Sequence, residues 1–440
     1  MLVRDFHHTL LWPVQLRPLR RRGGDDALYF WDLLKQNGGP WRYVDDPLLI
    51  NDATCLAGYE EFIYFLPYVQ RFLYGVGDEG RGAQASLHIF RREDIKQVSI
   101  KLTPDREPLL LAAPRARLYF FYDIDIAIVV FEIAGQDIPL ADCIEIVDRF
   151  GRSYPSAWDA GMQGAHCLHE VTFLSESGQV LATSDYENRQ KYLDLVRDQR
   201  QTPLASHWEY LMHPLVPAYK SGTIQFYQIE NKRIPIMSYF AFDDPHQLSR
   251  GDMARIGFAA KWGASETLPY AENFLRNFEW ENCYDRYWQS GESSGGMDTR
   301  YFFCGASFSM ITKAGGRDSL IREFRHQFFQ IGLIANFHKA ALLSLSNRFS
   351  RAVERLNVRD FESVKRFKRH VRETLEVFLR FNHRYWFHEI SNQVQASDFF
   401  QRWSHQLGSD ALFSEVREEA RDINEYLDAD RARKQTDNAM

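Results

Sequence analysis

The chain has 440 residues and a formal net charge of −6, with 45% hydrophobic and 15% aromatic residues. That length exceeds one typical core and calls for two or three modules, and the apolar content excludes a disordered chain. The acidic balance removes the general electrostatic case for nucleic acid, and five scattered cysteines point to a reducing compartment instead of a disulfide framework.

Residues 1–24 read as a proline-broken lead-in ending in Arg20-Arg21-Arg22-Gly23-Gly24, a solvated basic turn. The apolar stretch from Leu10 to Val14 is too short for a signal peptide, and the arginines follow it instead of preceding it. With no run of eighteen apolar residues, the chain as it stands is expected to be soluble. A first helix is expected over Asp25–Gln36, closed by Asn37-Gly38-Gly39-Pro40. Phe65–Tyr74 reads as a strand, followed by short strands at Ser86–Phe90, Gln97–Leu102, Ala116–Tyr122 and Ile126–Ile133. The run from Asp125 to Ile133 is almost unbroken apolar, so it belongs in the middle of a sheet covered by helices on both faces.

Ile138–Arg149 has helical spacing with Pro139 in its first turn. Strands are expected at Glu170–Leu174, Val180–Thr183, Thr223–Ile229 and Ile234–Phe240, and helices at Glu187–Gln199, Ser206–Met212 and Gln247–Lys261. After a Ser/Gly-rich loop at Gly291–Gly296 come two strands, Arg300–Cys304 and Ser307–Thr312. From Arg317 onward there is no proline, and Gly332 and Gly408 are the only glycines left. Positions Phe361, Val364, Val371, Leu375, Phe378, Tyr385, Ala396, Phe399 and Trp403 fall on a 3.5-residue seam, which predicts one long helix from about Val358 to Leu407. Gly408 and Ser409-Asp410 stop it and cap a final helix with Leu412, Val416, Ile423 and Leu427 on one side. That side is expected to be wetter within one chain than Leu375 or Phe378. The fold class is therefore an α+β or α/β head with a helix-covered mixed sheet over 1–314, in one or two subdomains divided near 150–165. An all-α long-helix bundle and stalk follows over 315–440.

The motifs that would carry chemistry are incomplete. His388-Glu389 lacks the second histidine of a zinc helix, and Gly305-Ala306-Ser307 lacks the closing glycine of a nucleophile elbow. His166, Cys167 and His169 read as loop residues satisfied singly, and Asp123 and Asp125 as solvated turn aspartates. The basic run Lys365 to Arg372 wraps around its helix and reads as a solvated surface. No nucleophile, acid–base pair or phosphate cradle converges, so no enzyme is expected.

Tyr426-Leu427-Asp428 and Gln435-Thr436-Asp437-Asn438-Ala439-Met440 resemble the stretch by which CorA-type magnesium transporters run a stalk helix into their first membrane span. Arg384 to Gln395 and the surrounding long helices are similar to the cytoplasmic helices of that superfamily, as is the order of head, two long helices and stalk. The similarity covers roughly Gly315 to Met440 and is architectural for the head, which is larger than the family norm. The family's Gly-Met-Asn signature and membrane helices would lie beyond Met440. The resemblance implies a pentamer when full length, on the cytoplasmic side of the inner or plasma membrane, responding to Mg²⁺ or another divalent cation. Arg431, Arg433 and Lys434 suit a cytoplasmic membrane flank. Glu418, Asp422 and Glu425, one turn apart, are the candidate oxygen ligands for the cation. The alternative is a soluble helical scaffold or interaction protein that shares the fold without a membrane role.

Overall fold

The computed structural model describes residues 1–19, 29–50, 56–75, 85–161, 163–230, 233–264, 267–289, 298–315 and 319–437. Its strands are β1 (Leu2–Leu16), β2 (Trp41–Tyr43), β3 (Leu87–Arg92), β4 (Gln97–Lys101), β5 (Leu109–Phe121), β6 (Ile124–Pro139), β7 (Glu170–Leu174), β8 (Val180–Thr183), β9 (Leu215–Pro217), β10 (Ile224–Gln228), β11 (Ile236–Phe242), β12 (Cys283–Trp288), β13 (Asp298–Cys304) and β14 (Ser307–Lys313). They form one sheet in the order β12-β13-β14-β11-β1-β6-β5-β4-β7-β8; β10 continues beside the end of β1 and pairs with β9, while β3 joins β5 and carries β2. The sheet is mixed, since β14 runs parallel to β11 and β9 parallel to β10 among otherwise antiparallel neighbours.

The helices are α1 (Phe30–Gln36), α2 (Leu56–Tyr64), α3 (Pro67–Tyr74), α4 (Leu140–Arg149), α5 (Arg189–Gln199), α6 (Ser206–Met212), α7 (Arg250–Phe258), α8 (Glu272–Glu281), α9 (Ser319–Glu323), α10 (Phe329–Glu354), α11 (Phe361–Arg384), α12 (Val394–Leu407) and α13 (Ser409–Asp437). They cover both faces of the sheet, as the apolar run in β6 requires. Its residues alternate: Val129, Phe131 and Ile133 enter a core with α4, α6 and α7, while Ile126, Ile128 and Val130 enter a second core with α3 and α10–α13.

The centre of the sheet is β1, in the segment whose proline and arginines read as a lead-in. It pairs with β6 from Leu2 to Gln15 on one side and with β11 from Asp5 to Leu10 on the other. Proline in a central strand removes a ladder hydrogen bond and is normally excluded. Here Leu11 N–H donates to the Pro235 carbonyl, so the nitrogen of Pro13, two residues on, faces the same side. On that side β11 has ended opposite Leu10 and β10 begins only at Val14, so Pro13 sits where no donor is needed.

Two further expectations change. Phe65–Tyr74 is not a strand: Pro67 opens α3, and Val69, Phe72 and Leu73 bury one helical face while Tyr68 and Arg71 stay exposed. The long helix over Val358–Leu407 is broken between Arg384 and Val394, although the interval contains neither proline nor glycine. Tertiary contacts take its backbone instead. His338 Nε2 lies 2.6 Å from the Tyr385 carbonyl, Tyr68 donates to the Glu389 carbonyl and Leu66 N–H to that of Ile390. Tyr385 and Ile390 are fully buried there. The first helix begins at Phe30, after Tyr29 in extended backbone, and the expected residues 25–28 and the Gly291–Gly296 loop lie outside the described residues.

The region after 315 does not stand away from the sheet as a stalk. Apolar on nearly every side, α10 lies in the second core between the sheet and α11–α13. Leu320–Glu354 is the one described helical stretch long and apolar enough to cross a membrane, and 83% of its most apolar window is buried inside the fold. Strands from both sides of residues 150–165 share the single sheet. The seam of α13 is largely covered within the chain: Val416 is 0% exposed and Leu427 6%, the same as Phe378, while Leu412 and Ile423 are half-buried and Ile423 is, as expected, wetter than Phe378. Its last covered turn packs Leu427 with Phe367 and Val371 of α11.

Gly332 lets α10 approach α12 and the sheet. A Cβ there would stand 2.5 Å from the Trp403 ring and 3.1 Å from Met237 Sδ. Alanine is the better helix former by about 1 kcal/mol, yet overpacking against a ring that is only 2% exposed is expected to reverse that gain. Gly332→Ala should lower stability by about 1–3 kcal/mol in urea unfolding. A neutral or stabilising result would mean that α12 yields at this contact.

Candidate functional site

The three acidic residues singled out on α13 stand on its solvent side, with Glu418, Asp422 and Glu425 all exposed. Arg421 lies 3.7 Å from Asp422 and 3.8 Å from Glu425, so two of the three face a cation of their own helix. No cluster of three His, Cys, Asp or Glu side chains placed to hold a metal ion occurs among the described residues. At the other sequence candidates, Asp123 pairs with Arg384 at 2.7 Å, His169 hydrogen-bonds Gln163, and burial pushes the Cys167 thiol up to about 12.

Polar groups do converge on a π-helical turn, Phe324–Phe328, between α9 and α10. Such turns insert an extra residue and re-aim the side chains around it. Arg325 points to Glu132 of β6 at 2.8 Å, and His326 lies 3.3 Å from Glu61 of α2. Glu132 is completely buried and also meets Arg115 at 2.9 Å and His7 at 2.8 Å. Burial alone would raise its pKa; the Arg115 charge, the His7 hydrogen bond and Arg325 overcome it and hold the carboxylate well below its usual range. Glu61 is similarly enclosed, accepting from Tyr74 and from Gln330 at 2.8 Å. Every oxygen of the two carboxylates is engaged. The pair clamps the turn to the sheet and to α2 and offers no free base.

Two cavities differ in charge. The larger, about 830 Å³, opens between α2, α9 and the β13–β14 edge. Lys313 and Arg322 face Glu60, Asp298 and Glu323 in its wall, so its signs are mixed. The second, about 690 Å³, lies where the end of α10, the start of α11 and the end of β1 meet, and it is basic. Arg17, Arg348, Arg351, Arg355 and Arg366 surround it with His370, against the carboxylate of Glu373 alone among the described residues. Its floor is buried Phe367, Ser363 and Thr374, and Tyr227 stands in the wall. Arg348 reaches Asp125 at 3.5 Å and Arg366 reaches Asp360 at 3.7 Å.

Compared with known protein families, curated proteins and solved structures, this chain matches none. The site has to be read from its own chemistry.

The arginines of α10 escaped the sequence reading, although spacings of three and then four put positions 348, 351 and 355 on one helical face. Arg366 and His370, within the basic run that wraps α11, are one turn apart and line the same volume. Nothing local to either helix announces the other.

Proposed function

We propose that this chain is the cytoplasmic portion of a CorA-like divalent-cation transporter, acting in Mg²⁺ sensing and gating, with membrane-spanning residues following Met440. The observation that carries the reading is the order of modules. A mixed-sheet head leads into two long helices, α10 and α11, then through the shorter α12 into a single unbroken helix over Ser409–Asp437. Glu415, Glu418, Asp422 and Glu425 line the exposed side of that helix and supply the oxygen donors a hard cation prefers.

One observation favours the alternative, a helical scaffold without a membrane role. The apolar seam of α13 is met by α10 and α11 of its own chain, which leaves less of it for neighbouring subunits. In the transporter reading the pentamer is held chiefly by the membrane part.

Thermal unfolding in Mg²⁺ against NaCl of equal ionic strength separates the two. A millimolar site at tens of millimolar Mg²⁺ stabilises by roughly 1–2 kcal/mol. The shift should disappear in the triple variant Glu418→Gln, Asp422→Asn, Glu425→Gln. A melting temperature that responds equally to both salts counts against cation sensing. Reading the coding sequence past the Met440 codon is the second check: an apolar segment with Gly-Met-Asn supports the transporter, and its absence supports the scaffold.

A further inference from the structure

We infer that the basic cavity between α10, α11 and the end of β1 is a binding site for a polyphosphorylated small molecule of the nucleoside-triphosphate class. The argument begins with charge. Five guanidinium groups line one cavity in a protein whose net charge is −6, with one carboxylate among the described residues of the lining. Like charges gathered in this way repel one another, and the protein does little to neutralise them. Among the described residues only Arg348 and Arg366 have carboxylates within 4 Å, at the long distances of 3.5 and 3.7 Å, and Arg351 and Arg355 have no ion-pair partner.

A helix dipole does not account for the cluster. Cations at the end of α10 are favoured by the carbonyls there, but the effect fades within the last turn. It gives no reason for Arg17 beyond β1, or Arg366 and His370 on α11, to face the same volume. What these residues share is an opening whose occupant would be surrounded by planar donors. Guanidinium groups bind phosphate oxygens bidentately, and several around one opening suit a chain of phosphates better than a single anion.

The remaining lining selects the class further. Tyr227 supplies an aromatic wall, and the buried Phe367 an apolar floor, to which a base or other flat group could be applied. The floor hydroxyls are already committed: Ser363 donates to the Arg355 carbonyl and Thr374 to that of His370. Recognition therefore falls to the arginines and the ring. A volume of about 690 Å³ lies within the usual range of small-molecule sites. A cavity of this kind favours a small polyanion over a membrane surface or a nucleic acid, which would ask for an open basic face.

Phe367 also ties the cavity to the last helix. Its ring meets Tyr426 of α13 with centroids 6.1 Å apart, and Leu427 packs beside it. An occupant that draws the α10 and α11 arginines together is thus one side chain away from α13.

The test is calorimetric titration of the full chain with ATP, inorganic tripolyphosphate and adenosine at matched ionic strength. ATP should bind, tripolyphosphate more weakly, and adenosine not measurably. Arg351→Gln and Arg355→Gln should each weaken ATP about tenfold or more, the usual loss for a charge-assisted hydrogen bond. Both side chains are exposed, and removing either relieves repulsion, so the free variants should melt no lower than the parent. Equal binding of tripolyphosphate and ATP would assign the site to free polyphosphate and remove the base from the proposal. Failure of all three ligands, ATP binding indifferent to both substitutions, or binding only to vesicles of anionic lipid would overturn it. None of these outcomes depends on the response to Mg²⁺ alone, so the transporter reading stands or falls separately.

Discussion

Glu132→Gln is expected to lower the unfolding free energy by about 3–5 kcal/mol, the loss typical when one partner of a buried ion pair is removed. The carboxylate has no exposed surface, and the Arg115 side chain that it neutralises is only 3% exposed. Glutamine keeps the shape and loses the charge, so the Arg115 guanidinium is left buried against a neutral amide. Arg115 also donates to the Arg325 carbonyl 2.8 Å away and lies over the Phe329 ring, so it cannot swing out to water without opening the π turn. Urea unfolding gives the number. Arg115→Met combined with Glu132→Leu should recover much of the loss, because an apolar pair needs no desolvated charge. If Glu132→Gln costs under 1 kcal/mol, the cluster is hydrated in solution and does not clamp the turn.

Acidification should unfold the protein well before its carboxylates titrate. Burial lowers His8, His207 and His338 each to about 3, and all three rings are enclosed among apolar and aromatic side chains. His8 Nε2, His207 Nδ1 and His338 Nδ1 are buried without a hydrogen-bond partner among the described residues. An unfolded histidine takes up its proton near pH 6.5, whereas these three stay neutral in the folded state down to about 3. Between those values the unfolded state binds more protons, so stability falls as pH falls.

Each ring contributes up to about 1.4 kcal/mol per pH unit once the unfolded histidine is charged, so the three together should remove about 5 kcal/mol between pH 6.5 and 5. His7 does not oppose this. Burial disfavours its charge, but hydrogen bonds to Asp5 and Glu132 raise its pKa, so its contribution is complete below the unfolded value. The depressed Glu132 and Glu61 add a further loss only below the ordinary carboxylate range. Urea midpoints at pH 7.5, 6.5 and 5.5 should drop steeply over the last interval. A flat profile there would mean that these histidines are reached by water in the folded state.

Much of the sheet was legible because burial imposes a period on sequence. The apolar run of β6 could only belong to a strand covered on both faces, and α6 begins and ends where its pattern says. The stop at Gly408 was readable for the same local reason: its φ of +69° is open to glycine at no steric cost. Sequence alone also determined the acidic outer face of α13 and the absence of complete motifs for familiar catalysts.

Long-range contacts decided the rest. Pro13 reads as a breaker until two successive partner strands leave a gap at its nitrogen, and the α11–α12 break has no local signal because its carbonyls are claimed by α3 and α10. The coverage of the α13 seam depends on where α10 and α11 lie, which periodicity cannot say. The basic cavity is the extreme case. Its five arginines come from position 17, positions 348 to 355 and position 366, and three separate parts of the chain acquire a common charge only when the sheet and helices close on one another. Periodicity reports which face of an element is buried; electrostatics between elements depends on distances that exist only in the folded chain.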